Sequence, residues 1–342
     1  MIEISRKKEF LPVTRALESY LDEFDRRQPL PASYRELLSF NESYPLTDKF
    51  DHATHWSSVL YPAEVREELY PRLTSIYALL KTGGLTALPH LSVERVDYCE
   101  FGNSRPFRVR VVNRYNDNYD HFYVKRVDAS RVYGLELEHL LSPSRISYLY
   151  HEGSLVEEHI AGVPGDVFLR DYLGREDINR VRVAKEFVKF SERCFIRLLG
   201  DMRSYNYVVD MTPDFEEVQY RVRAIDFDQQ SYEGRRNLYL PQFFKENNPV
   251  VELCSRVLNY PTMQQYQEEE RALIARRFQS EKERVMRLLA CMKGSPAEPW
   301  EKVVQLREEL AAHHHYSGFE RCASMGELVE VNLEFLLGRW MD

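Results

Sequence analysis

At residue 92 the spacing of apolar residues changes from a helical repeat to alternation, and that change constrains the fold most. The stretch SVERVDYCEFGNSRPFRVRVVNRYNDNYDHFYVKRV, residues 92–127, alternates with period two. Phe107, Val109 and Val111 fall on one face and Arg108 and Arg110 on the other, because successive side chains of a strand point to opposite faces. RYNDNYD, rich in Asn and Asp, is a turn between strands. Three antiparallel strands are therefore expected over 93–101, 105–114 and 121–127. ISYLYHE and SLVEEHI supply two more, after a short helix around GLELEHLLS, and AGVPG at 161–165 reads as a linker.

The flanks read as helical. In TRALESYLDEFDRR, Leu17, Tyr20, Leu21 and Phe24 recur at helical spacing, and Ser33 with Glu36 forms a capping box. YPAEVREELYPRLTSIYALLKTGG stops at Gly83-Gly84, with Pro71 expected to break or kink it. Downstream, DINRVRVAKEFVKFSERCFIRLL is a long helix with Asp177 as its expected cap. A hairpin of YNYVVD and VQYRVRAIDFD follows, and residues 264–294 read as one charged helix. The expectation is an α+β chain in three parts: a helical region 1–90, a β-rich region 91–163 and a helical region 164–342.

The 46 basic residues are outnumbered by 54 acidic ones, a formal net charge of −8. That surplus disfavours nonspecific nucleic-acid binding and favours a neutral or cationic substrate. Five cysteines are scattered without a CxxC pair, so they are expected to be reduced core thiols. The N-terminus lacks the apolar run of a signal peptide, and no run reaches the ~18 apolar residues of a membrane span. The expectation is a cytoplasmic protein with no membrane partner.

The polar residues that stand out lie at strand and helix ends. In LLGDMRSYNYVVD, Asp201 and Asn206 are five apart on one short loop. A carboxylate there can orient a hydroxyl and take its proton, and an amide oxygen nearby can hold Mg²⁺ against phosphates. VRAIDFDQQ ends a strand with Asp226, which the hairpin returns beside Asn206, and Asp228 follows. Hard oxygen donors at a strand end suit Mg²⁺. Lys125 sits within the apolar strand HFYVKR, where a charge is costly unless paired. In FGNSRPF, Gly102, Asn103 and Ser104 can offer backbone N–H groups to phosphate.

This ordered set resembles the protein-kinase-like fold, in the branch of aminoglycoside and choline phosphotransferases, over roughly residues 93–230. The resemblance implies two lobes, with a five-stranded antiparallel N-lobe and a helical C-lobe, here joined to an extra helical N-terminal region. It implies ATP and Mg²⁺ as cofactors and a hydroxyl-bearing acceptor, either a small molecule or a protein. Asp201 would then be the catalytic carboxylate and Arg203 would neutralise charge on the transferred group; Asn206, Asp226 and Asp228 would face the metal. Lys125 would grip the non-transferred phosphates, held by Glu138 or Glu136 from the next helix, with Glu138 preferred. Backbone groups near Glu158 and Ile160 would meet an adenine edge. Leu199 stands where the family carries His. The same residues are compatible with nucleotidyl transfer, and the alternative is a catalytically silent kinase-fold module. The histidines at 313–315 point around a helix and do not converge, KTGG lacks the order of a P-loop, and GRR is too short for a nucleic-acid groove.

Overall fold

The computed structural model describes residues 8–47, 53–84, 88–100, 102–215, 217–295 and 299–340. The fold is α+β, and the chain divides into two compact units, Met1–Ala129 with Ile146–His159, and Ser130–Arg145 with Ile160–Asp342.

The first unit opens with helices α1 (Arg15–Glu23) and α2 (Tyr34–Leu37), strands β1 (Glu42–Thr47) and β2 (Ala53–Leu60), and helix α3 (Ala63–Thr82). Strands β3 (Leu91–Tyr98), β4 (Phe107–Asn113) and β5 (Tyr119–Arg126) follow. The chain then builds α4 (Ala129–Leu141), assigned almost wholly to the second unit, and returns with β6 (Tyr148–His151) and β7 (Ser154–Glu158). These strands form one antiparallel sheet in the order β1-β2-β3-β4-β5-β7-β6. The sheet thus has seven strands, not the expected five. The first two come from the stretch expected to be helical, so residues 1–90 are not a separate helical region. β1 is the edge strand, mostly exposed and carrying Pro45, which an edge tolerates because its N–H side needs no partner.

One face of the sheet is the core of this unit. Val96, Phe107, Val109, Phe122, Val124 and Val156 pack in one cluster with Leu69, Leu73, Ile76 and Leu80 of α3. Pro71 lies inside α3 without ending it, because the stripe on either side stays buried. The helix stops at Gly83, whose φ of 69° is left-handed. Ser33 and Glu36 form the expected capping box.

The second unit continues with β8 (Val163–Pro164), α5 (Gly165–Val167), α6 (Arg180–Arg197), β9 (Tyr207–Asp214) and β10 (Glu217–Ala224). The sheet order is β10-β9-β8. Helices α7 (Asn248–Val257), α8 (Tyr260–Ser280), α9 (Lys282–Lys293), α10 (Trp300–His314) and α11 (Met325–Leu337) complete it. The cap of α6 is Asn179, which accepts from the Arg182 N–H, while Asp177 pairs with Arg175. The expected single helix over 264–294 is two, interrupted at Glu281. All five cysteines are buried free thiols, and burial pushes Cys194 up to about 12. No helix among the described residues is long and apolar enough to cross a membrane.

Candidate functional site

The second unit gathers its acids where two loops run side by side. Helix α6 ends at Leu198, which takes a left-handed conformation at φ 52° and turns the chain sharply. Leu199 then bridges Gln230, the Gly200 N–H donates to the Gln229 carbonyl at 3.1 Å, and the Ser231 N–H donates to the Leu198 carbonyl at 2.8 Å. A Cβ at Gly200 would stand 3.1 Å from that Gln229 oxygen, a tight contact. Further along, the Ile225 N–H donates to the Asn206 carbonyl at 3.0 Å. The two loops are therefore tied at both ends.

Asp201 sits in this tie with φ 58°, a conformation that costs a non-glycine residue about 1 kcal/mol or more. Three side-chain hydrogen bonds from two residues hold it there. Asn206 Nδ2 donates to the Asp201 carbonyl at 2.7 Å and to Oδ2 at 3.3 Å, and Arg203 Nε donates to Oδ1 at 2.8 Å. Arg203 is held in turn by Glu246, at 2.7 Å from Nη1. Burial raises the Asp201 carboxyl above its ordinary range; Arg203 opposes this, while Asp226 and Glu233 add to it.

Asp226 lies two residues past the end of β10. Its Oδ1 accepts from the Asp228 N–H at 3.1 Å and from Arg131 Nη1 at 2.7 Å, and the same Nη1 donates to Asp228 Oδ1 at 2.9 Å. Arg131 is on α4 and its side chain is 2% exposed. Gly134, one turn on, lets α4 approach this loop, since a Cβ there would meet Phe227 Cβ at 2.9 Å. Ser130 Oγ adds bonds to the Asp228 and Gln230 carbonyls. Among the described residues, no three or more His, Cys, Asp and Glu side chains form a metal-holding group by themselves.

The first unit holds Lys125. Its Nζ lies 2.8 Å from Glu157 Oε2, and the two side chains are 9% and 4% exposed. Glu157, on β7, was not among the acids expected to meet it. Glu138 of α4 pairs with Arg197 of α6, and Glu136 pairs with Arg284 of α9 at 2.8 Å. Burial works to raise the Glu138 carboxyl, but Arg197 and its hydrogen bonds win and hold it below the ordinary range. Register brings Lys125 and Glu157 together. Tyr123 of β5 pairs with Glu157 of β7 and Lys125 with Leu155, so Lys125 and Glu157 are diagonal neighbours on one face. Glu158 takes the opposite direction, where its carboxylate accepts from the Ser147 N–H at 2.7 Å.

The other expected residues are placed as follows. The Glu158 N–H is spent on the Ser147 carbonyl, and Ile160 is buried, just past the division between the units. Gly102, Asn103 and Ser104 form a tight turn closed by the Arg105 N–H on the Gly102 carbonyl. The left-handed residue of that turn is Arg105, not Gly102. Asn103 has a buried side-chain oxygen with no hydrogen-bond partner among the described residues.

The arrangement in the second unit is a carboxylate, an amide and two further carboxylates on two tied loops, with arginines balancing the charge. Such a set can take a proton from a hydroxyl and offer hard oxygen donors. Sequence reasoning missed Arg131, Glu157 and Glu246; the signal it passed over is that buried acids and a buried lysine each require a counter-charge. The chain matches no protein-family model, and no curated protein is significantly similar to it.

Proposed function

We propose that the chain is an ATP- and Mg²⁺-dependent phosphotransferase of the protein-kinase-like fold, acting on a hydroxyl. The observation that carries this reading is the tie between the loops of Asp201–Asn206 and Asp226–Asp228: Asn206 bonds to Asp201 through its side chain and to Ile225, next to Asp226, through its carbonyl. The strand order β3-β4-β5-β7-β6, with α4 inserted after β5, also supports it. The nucleotide and metal fit the donors present. Asn206 spends Nδ2 on Asp201, which leaves Oδ1 as its ligating atom. With Asp226 and Asp228 it makes an all-oxygen set of the kind Mg²⁺ takes, the rest being water and phosphate.

In the proposed reaction Asp201 accepts the proton of the acceptor hydroxyl as its oxygen attacks the γ-phosphorus. The bond from that phosphorus to the β-bridging oxygen breaks, and ADP leaves. Mg²⁺, when bound, neutralises charge on the phosphates. Lys125 binds the phosphates that are not transferred. Arg203, fixed by Glu246, steadies Asp201 and counters charge on the transferred group. The catalytic carboxylate works only when deprotonated, and its raised pKa brings it nearer a base's working range.

A second reading, a silent module that binds without transfer, draws on one observation. Arg131 already neutralises Asp226 and Asp228. Calorimetric titration of the full chain with ATP, with and without Mg²⁺, separates the readings. The phosphotransferase predicts Mg²⁺-dependent binding that Asp226→Ala abolishes. Binding indifferent to Mg²⁺ and to Asp226→Ala favours the silent module, and no binding by folded protein overturns both.

A further inference from the structure

We infer that Asn247 is a positioning residue for the Asp201 carboxylate, holding the middle of the loop that carries it. What Asp201 does there rests on the phosphotransferase reading above; how it is held does not. Asp201 keeps a left-handed conformation against a local cost, and its side-chain partners, Arg203 and Asn206, lie on the same loop. Partners that move with a loop do not fix it in the unit. The bonds to Gln229 and Ile225 hold the two ends of this loop, at Gly200 and Asn206. Its middle is held by residues 238–247. The Asp201 N–H donates to the Leu238 carbonyl at 3.0 Å, and the Met202 carbonyl accepts from Asn247 Nδ2 at 2.9 Å. The Arg203 guanidinium lies over the Phe244 ring, 5.1 Å from its centre, and reaches Glu246.

Asn247 is fully buried and stands immediately before α7, where an Asn ordinarily caps the helix with its side-chain oxygen. Here the side chain makes no capping bond. Its Oδ1 accepts instead from the Tyr207 hydroxyl at 2.9 Å, and Nδ2 donates a second time, to the Pro241 carbonyl at 2.8 Å. Carbonyls only accept, which fixes the orientation of the amide. One planar group thus joins the residue after Asp201, the first residue of β9 and the turn at Pro241–Phe243. A side chain without two N–H donors would leave one of these buried carbonyls unmet. Met202 is 1% exposed, so water does not readily take the place of the amide. The carboxylate is therefore set in place before an acceptor arrives, as a base must be to meet a hydroxyl at bonding distance.

The test uses the full chain and two variants. Asn247→Ala removes the tie, while Tyr207→Phe removes a buried bond to the same amide and leaves both its donors in place. Two quantities are read: amide hydrogen exchange over residues 199–206 by mass spectrometry, and the kcat and KM for release of phosphate from Mg·ATP, with water as the acceptor. Asn247→Ala is expected to speed exchange over 199–206 about tenfold or more, because the middle of the loop opens locally. It should lower kcat about tenfold or more and leave KM within about threefold, since the Asn206 end keeps its own bond to Ile225. Tyr207→Phe is expected to lower the urea midpoint but to leave exchange and kcat within about threefold. The inference is overturned if Asn247→Ala leaves either quantity at its native value. It is also overturned if Tyr207→Phe moves either one as far, since both would then report stability alone. Should Asn247→Ala not fold, exchange in the native protein decides. Segments 199–206 and 240–247 should then show equal protection, and a loop that opens while 240–247 stays closed overturns the inference. Should the native protein not turn over ATP, the exchange rates alone decide whether Asn247 holds the loop. If it binds no ATP either, by calorimetry, the phosphotransferase reading fails separately.

Discussion

Two ion pairs, one in each unit, are built on opposite plans. Lys125 and Glu157 sit on adjacent strands, 9% and 4% exposed, and are joined by the register of the sheet. Arg203 and Asp201 sit two residues apart on a loop, 35% and 36% exposed, and are joined by a left-handed turn and by Asn206. The first pair is held by everything that holds the sheet. The second is held by a few hydrogen bonds and is in reach of solvent. Burial therefore makes the first pair costly to break but fixed in place, while the second is cheap to break and open to adjustment. A group that must grip phosphate gains from the first plan, and a group that must gain and lose a proton gains from the second.

The largest expected effect breaks the buried pair on one side only. Glu157→Gln leaves an ammonium in a nearly dry site and should cost about 3–5 kcal/mol of stability. Removing both charges together, as Lys125→Met/Glu157→Gln, should recover most of that loss, because the ammonium goes with its carboxylate. Urea midpoints of the two variants check this. Equal losses would mean that Glu157 packs against something other than the lysine charge.

Arg131→Met probes a third pair, intermediate in burial. Asp226 is 34% exposed, Asp228 is 10%, and the arginine that serves both is 2%. Losing the guanidinium leaves two carboxylates without this shared partner and should cost about 2–3 kcal/mol. Those acids should then take up a divalent cation more readily, so Mg²⁺ should raise the urea midpoint of the variant more than that of the native chain. An equal response in both proteins would show that Arg131 does not compete with the cation.

The same contrast explains what was legible in the amino-acid order. Asp201, Asn206, Asp226 and Lys125 stood out because each is a polar group in or beside an apolar run, where burial makes its presence costly. Their counter-charges were not visible. Glu157 and Glu158 are neighbours that face opposite ways, and only pairing with a strand 32 residues earlier decides which one meets Lys125. Arg131 lies 95 residues before the aspartate it binds, and nothing local marks it. The alternation of β3, β4 and β5 was plain because one face is core. β1 and β2 were passed over because β1 is almost wholly exposed and neither shows sustained apolar alternation. The break at Glu281 likewise leaves the helical pattern of charges uninterrupted on both sides.

The smallest expected change in stability, and the sharpest change in pH behaviour, comes from the exposed pair. Arg203→Met should alter stability by less than about 1 kcal/mol, as exposed ion pairs do. Its effect lies in the proton of Asp201. Burial already lifts that carboxyl above its ordinary value of 3.8, and Arg203 is the neighbour that pulls it back. Because the folded-state value is raised, the native chain keeps this proton over a window where the unfolded chain has lost it. Stability contributed by this group is therefore present below that window and falls as pH rises through it. Without Arg203 the native value rises further and the window widens upward. The base form appears only above it, so the acid limb of the proposed phosphoryl transfer should move to higher pH in Arg203→Met. A pH–rate profile of both proteins measures the shift. An acid limb that stays in place or moves down would mean that Asp201 is not the group whose deprotonation the reaction needs.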